Sequence, residues 1–214
     1  KASYSVIYIT GIIIMKAIVC KEFGPPSKLV LEDMEPLSPK KNEILIDIHA
    51  AGVNFPDTLI IKDMYQFKPA LPFTPGNEVA GVVSAIGEGV TAYSVDDEVI
   101  AMPAFGGYAE QIVVSPSQAS KKPVNMDFAT AACFSTTYGT SHYGLKDKAQ
   151  LKEGETVLIL GASGGVGISA IEIAKAMGAK VIAAASTNEK LAVCKEYGAD
   201  ELINYGNYDL SDRD

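Results

Sequence analysis

The sequence predicts a mixed protein, a β-rich first half followed by an α/β nucleotide-binding half. Three observations carry this. Short strands broken by glycine and proline turns run to about residue 120. A greasy strand at residues 156–160 then breaks into Gly161, Gly164 and Gly167, and two further strand-and-helix periods follow up to residue 204.

The second half is the more specific. Thr156 to Leu160 is an apolar, partly β-branched run, as expected of a strand buried on both faces of a parallel sheet. Apolar residues return at helical spacing from Ile168 to Met177. Glycines between strand and helix permit a tight turn, let a ligand approach the main chain and let the helix pack closely on the strand. Free N–H groups at the helix start, with the positive end of its dipole, attract a phosphate. A glycine-rich connection alone does not require a ligand. Here Lys180 to Ala185 reads as a second strand, Glu189 to Tyr197 as a helix and Glu201 to Asn204 as a third strand, the β-α-β-α-β order of a dinucleotide fold.

The tip of the second strand bears on the choice of dinucleotide. Folds that grip the ribose hydroxyls of NAD carry an acidic residue about 20 residues past the loop. This strand ends Ala184-Ala185-Ser186-Thr187-Asn188, without a carboxylate, and Lys190 lies one turn on. A neutral tip beside a cation suits a 2′-phosphate and favours NADPH. Glu189 opposes that reading, and a Lys190 that is merely a solvated helix residue is the alternative.

In the first half, Glu43 to Ile48 alternates, with Ile44, Ile46 and Ile48 on one face and Asp47 and His49 on the other. Glu78 to Ile86 and Asp97 to Met102 are further strands, and Gly106-Gly107-Tyr108 leads into another at residues 109–114. The pattern is antiparallel and partly barrel-like. Lys121-Lys122-Pro123 closes it, and Asp127 to Ala132 opens a helical connector. The apolar run at residues 4–14 is too short to span a bilayer and has no signal cleavage site. Met15 is the expected start of the first domain, with residues 1–14 an extension foreign to it. The expected division is residues 15–125 and 126–214.

The 214 residues carry a formal charge of −8, from 26 acidic against 18 basic side chains, which gives no electrostatic footprint for nucleic acid or anionic membrane. Cys20, Cys133 and Cys194 are far apart and odd in number, so neither a disulfide framework nor a CxxC zinc site is written. A cytoplasmic enzyme is expected.

The segments AAGVNFPD (residues 50–57), YQFKPALPFTPGNEVAGVV (65–83), GGYAE (106–110) and GASGGVG (161–167) resemble the medium-chain dehydrogenase/reductase superfamily, and within it the zinc-independent quinone oxidoreductases related to zeta-crystallin. The resemblance runs from Met15 onwards. It implies a GroES-like catalytic domain, a Rossmann domain and NAD(P)H-dependent hydride transfer in the cleft between them. The zinc alcohol dehydrogenases of that superfamily place a cysteine where this chain has Asn54 and a histidine where it has Asn77. Two amides are poor zinc ligands, and Glu78 alone does not make a site, so no metal is expected. His49 and His142 lack ligand spacing.

The resemblance places Asn54 and Tyr65 on the substrate side, where an amide N–H and a phenol can each donate to an enolate-like oxygen, with Asp57 orienting Asn54 or its turn. An Asn54 that caps a turn and a Tyr65 that packs on the surface are the structural alternatives. On the cofactor side it marks Gly164, Gly165 and Val166 at the pyrophosphate within the Gly161 to Gly167 loop, Ser186 and Lys190 at the 2′-phosphate, and Tyr205 near the adenosine ribose. Thr136 and Thr137 are near the nicotinamide or serve in capping and packing. The implied activity is NADPH-dependent reduction of a quinone or enone. An enoyl thioester reductase and a non-catalytic, crystallin-like nucleotide-binding protein are the alternatives. Only strands 1 to 3 of a six-stranded dinucleotide fold are recognisable. The chain is therefore expected to be a fragment, inactive alone, of a longer and oligomeric enzyme.

Overall fold

The computed structural model describes residues 14–206, so the expectations for residues 1–13 and for the end of the chain lie outside the described residues. The chain divides into two compact units after Ala132. The first unit runs seven residues past the boundary expected at residue 125, because the connector helix is part of its core: Ala131 and Ala132 are fully buried with Ala80 and Ile100.

In the first unit a hairpin of β1 (Met15–Val19) and β2 (Val30–Met34) accompanies a five-stranded antiparallel sheet. That sheet contains β3 (Ile44–Ala51), β4 (Val79–Ile86), β5 (Glu98–Ala101), β6 (Gln111–Val114) and β7 (Ala119–Lys121), in the order β6-β3-β4-β5-β7. Ile44, Ile46, Val79, Val83, Val99 and Val114 fill its core, and burying each such side chain contributes about 1.5–3 kcal/mol. The alternation expected along β3 is only partly realised. Leu45 is buried as well as Ile44 and Ile46, so both faces of the strand are covered at that point. Register shifts against β4 between Leu45 and Ile46, and again between Ile48 and Ala50, interrupt the period and bend the strand.

Two short α-helices lie among the described residues of this unit. Helix α1 (Phe55–Ile60) follows β3 and carries a proline in its first turn, where the missing N–H costs nothing. Helix α2 (Phe128–Ala131) starts where Asp127 accepts a hydrogen bond from the Thr130 amide at 2.8 Å.

The second unit begins with α3 (Phe134–His142) and continues through β8 (Thr156–Leu160), α4 (Gly165–Ala176), β9 (Lys180–Ala185), α5 (Asn188–Glu196) and β10 (Glu201–Asn204). The three strands form a parallel sheet in the order β10-β9-β8. Its core is built of small residues, Ala162, Ala170, Ala174, Ala183 and Ala199, around Ile171 and Val181, which allows α4 to lie close to the sheet. One expectation fails. Strand β8 is not buried on both faces, since Leu158 and Leu160 are 53% and 69% exposed. It stands at the edge of the described sheet with α4 packed on one side, and among the described residues of this unit nothing covers the other.

Candidate functional site

The first group of side chains gathers at the start of α1. Asn54 is the residue before the helix, in extended backbone, and its N–H donates to Asp57 Oδ2 at 2.8 Å. The Asp57 carboxylate is buried, and the Tyr108 hydroxyl donates to the same oxygen at 2.8 Å. Burial first, and Asp57 second, push the Tyr108 phenol well above its ordinary pKa, so it stays a donor. Asp57 therefore ties the GGYAE segment to the helix start. Tyr108 was not singled out from the sequence. Its structural mark is a distant glycine: a Cβ on Gly76 would fall 2.5 Å from the Tyr108 ring.

The Asn54 side chain completes a capping box with Asp57 at the start of α1, the capping role that the sequence offered as its alternative, and its amide nitrogen is turned to a second set of partners. Its Nδ2 donates to Asn77 Oδ1 at 3.2 Å and to Glu78 Oε2 at 3.1 Å. Glu78 is completely buried. The expectation that this amide offers its N–H to a substrate oxygen is thus corrected: the nitrogen is already engaged within the cluster, because a buried carboxylate must be given donors. Tyr65 lies beyond the other end of α1. Its ring packs on Cys20, Ile60, Ile61 and Phe73, while its hydroxyl has no hydrogen-bond partner among the described residues.

His49 packs against Phe128 with ring centroids 4.4 Å apart and the planes tilted by 30°, and among the described residues there is no group of three His, Cys, Asp or Glu side chains able to hold a metal ion.

The second group surrounds the glycine turn. Gly161 has φ +61° with open space where a Cβ would be, and Gly164 precedes α4 without any side-chain cap. The first-turn amides of Gly165, Val166 and Gly167 therefore have no partner within the helix. Gly167 meets a packing demand instead, since its Cβ would fall 2.5 Å from the Ala162 carbonyl oxygen. Ser141 and Ser169, both buried, donate to the Val166 carbonyl at 2.7 and 2.9 Å and fasten α3 to this turn. Thr137 touches the turn too: its methyl would lie 3.1 Å from a Cβ on Gly165, while its hydroxyl bonds back to Cys133 O. The serine pair was missed because isolated serines within helices carry no spacing signal.

Ser186, Lys190 and Tyr205 share one corner. Lys190 Nζ donates to Ser186 Oγ at 3.1 Å, and the Tyr205 amide donates to Ala185 O at 3.1 Å. Glu189 is held below the usual carboxylate range by its own backbone N–H and the Thr187 hydroxyl. It serves the start of α5, which removes the objection it raised.

Residues 40–124 match the alcohol dehydrogenase GroES-like domain and residues 165–213 the zinc-binding dehydrogenase domain. Human quinone oxidoreductase is 38% identical over 206 residues, 95% of this chain and 63% of that protein. The chain belongs to the medium-chain dehydrogenase/reductase family. It spans about three fifths of the length of the curated relatives it matches. Among solved structures, the Escherichia coli quinone oxidoreductase complexed with NADPH superposes with a TM-score of 0.85 at 33% identity, covering 92% of this chain and 60% of that one. The CurK enoyl reductase gives 0.80 at 33% identity, covering 89% and 59%.

Zinc is the metal that the description of one domain of this medium-chain dehydrogenase/reductase implies, and the donor set does not fit it. Asn54, Asn77 and Glu78 supply two amides, joined to each other, and one carboxylate, where a catalytic zinc takes thiolate, imidazole or several carboxylates. A dinucleotide does fit: the uncapped α4 terminus and the open face at Gly161 leave room and donors for a pyrophosphate.

Proposed function

We propose that the protein carrying this chain reduces quinones or other α,β-unsaturated carbonyl compounds with NADPH and without zinc. The observation that carries the reading is the Asn54–Asn77–Glu78 cluster, a hydrogen-bonded site of two amides and one carboxylate that does not suit zinc, in a chain that also has a dinucleotide cradle. Without a Lewis acid, oxidation of an alcohol lacks a means of lowering the alcohol's pKa. Reduction of a conjugated alkene needs only donors at the carbonyl oxygen, where the negative charge collects.

In this reading Gly161, Gly164, Gly165, Val166 and Gly167 take the pyrophosphate on main-chain N–H groups. Ser186 and Lys190 hold the 2′-phosphate and Tyr205 lies beside the adenosine ribose. NADPH, when bound, supplies the hydride. Tyr65 donates its phenol to the acceptor's carbonyl oxygen, Asp57 fixes the start of α1, and Asn54 forms the floor of the polar cluster. Solvent completes the reduction with a proton. The acceptor is a small molecule, the enzyme is an oligomer, and the absence of a disulfide among the described residues suits a reducing cytoplasm. No helix among the described residues is long and apolar enough to cross a membrane.

An enoyl thioester acceptor is the second reading, favoured by the similarity to the CurK enoyl reductase. NADPH oxidation measured with a small quinone and with a crotonyl thioester separates the two. The larger kcat/KM is expected for the quinone, and turnover of the thioester alone would reverse the assignment.

Two further results are expected. Extended dialysis against a strong chelator leaves activity unchanged, whereas loss that zinc restores would overturn the metal-free reading. Lys190→Ala weakens NADPH binding by about tenfold or more, the worth of a charge-assisted hydrogen bond, and leaves NADH binding unaltered. Calorimetry with both nucleotides checks it, and equal losses for the two would remove Lys190 from the phosphate corner.

A further inference from the structure

The three side chains of the polar cluster have a direction. Glu78 is fully buried, and a carboxylate accepts hydrogen bonds without donating any. The Asn54 amide must therefore turn its nitrogen towards Glu78 Oε2, at 3.1 Å. The same nitrogen donates to Asn77 Oδ1 at 3.2 Å, which fixes the second amide as well. With its oxygen committed to Asn54, Asn77 must present its nitrogen on the opposite branch. Asn77 Nδ2 has no partner among the described residues. Nor is it sealed away, because no buried side-chain nitrogen or oxygen among them lacks a hydrogen bond. The result is a half-buried amide whose two donor hydrogens are held open to solvent by a chain of hydrogen bonds that ends on a buried charge.

We propose that Asn77 is the amide that donates to the carbonyl oxygen of the acceptor, and that Glu78, acting through Asn54, is the positioning residue that keeps its nitrogen outward. The proposal rests on the carbonyl-reducing reading and names a residue for it that the sequence placed only in the context of zinc. The relay also assigns Asn54 its role. It is the link that transmits the orientation, which explains why its own nitrogen is unavailable. Polarisation runs the same way: the Glu78 charge strengthens the Asn54 amide as a donor, and the bond accepted by Asn77 Oδ1 makes Asn77 Nδ2 a better donor in turn.

The variant that isolates the claim is Asn77→Asp, which keeps size and shape but replaces the outward N–H groups with an oxygen. In the complete protein kcat for a quinone is expected to fall by about 100-fold, the usual loss when one such donor is removed, with the dissociation constant of NADPH unchanged. Glu78→Gln, equally isosteric, lets the amides choose either orientation. It is expected to lower kcat by about tenfold, again without affecting NADPH. A second measurement does not depend on turnover. In protein labelled with ¹⁵N at asparagine, the Asn77 side-chain amide resonance, assigned by its loss in Asn77→Asp, is expected to shift when duroquinone is added in the presence of NADP⁺. In Glu78→Gln the shift is expected to shrink. Turnover that survives in Asn77→Asp, or an Asn77 resonance that ignores duroquinone while the wild-type enzyme reduces it, overturns the proposal. A wild-type protein that reduces no quinone or enone overturns the functional reading instead. An Asn77 shift in that protein would still establish the amide as a carbonyl-binding group, and its absence would remove both.

Discussion

Tyr65→Phe is expected to lower quinone turnover by about 100-fold while leaving the affinity for NADPH and the stability of the fold nearly unchanged. The expectation follows from how the ring is held. Its carbon face packs on Cys20, Ile60, Ile61 and Phe73, and phenylalanine preserves every one of those contacts. The hydroxyl has no partner among the described residues, so its removal orphans nothing, and a change of that kind stays within about 0.5 kcal/mol of stability. A phenol at the acceptor's oxygen would instead strengthen its hydrogen bond as charge develops there. Losing a donor of that type costs about 100-fold or more where it acts alone, and less if Asn77 shares the oxygen. Steady-state kinetics with a quinone, alongside urea unfolding and nucleotide titration, reads all three quantities. Unchanged turnover would make Tyr65 a packing residue and leave the carbonyl oxygen to other donors.

The contrast between Tyr65 and Asn54 shows what the sequence reveals and what it withholds. Both stood out because short motifs surround them, and their residue types permit donation. Whether a donor is available depends on partners far along the chain. Asn54 meets Asn77 and Glu78 across 23 and 24 residues, and Tyr108 reaches Asp57 across 51. No local pattern encodes those meetings. The glycine turn was legible for the opposite reason: strand, loop and helix are contiguous, so Gly161 to Gly167 and the periods on either side settle the conformation among themselves. The second unit's strands accordingly appear where the hydrophobic periods place them, and its helix ends differ by one to three residues because capping, not hydrophobicity, sets them. The exposed face of β8 was not legible in the strand's own residues. An apolar strand announces that it is fit for burial, not what buries it, and Leu158 and Leu160 carry no mark of which neighbour they require. The corner of Ser186, Lys190 and Tyr205 lies between these cases. The first two are one helical turn apart and readable together, whereas Tyr205 joins them only through the parallel register that sets Asn204 against Ala185.

Gly52→Ala is expected to destabilise the first unit by about 1–3 kcal/mol and to reduce turnover by a further factor beyond that loss, because its missing side chain is what lets the polar cluster close. Gly52 is buried and does not have a positive φ, so flexibility is not its purpose. A Cβ there would fall 2.2 Å from the Ala132 carbonyl oxygen and 3.1 Å from Glu78 Oε2. The first contact is with backbone in the core around Ala131 and Ala132, which cannot rotate aside. The second is with the carboxylate that orients Asn54. Gly52 also donates its N–H to Glu78 O at 2.9 Å, so any retreat of its backbone pulls on the same residue from two sides. A displacement of about 1 Å at a catalytic constellation can cost about 100-fold in rate. Gly89→Ala is the matched control. Gly89 has φ +88°, and its added Cβ would meet only the end of the Asn42 side chain at 2.5 Å, which can swing away. That variant bears the left-handed backbone cost of about 1–2 kcal/mol and is expected to keep full kcat in its folded fraction. Urea unfolding and initial-rate kinetics on both proteins decide the matter: if Gly52→Ala, corrected for its folded fraction, turns over as fast as Gly89→Ala, then Gly52 serves packing alone and the cluster does not depend on its close approach.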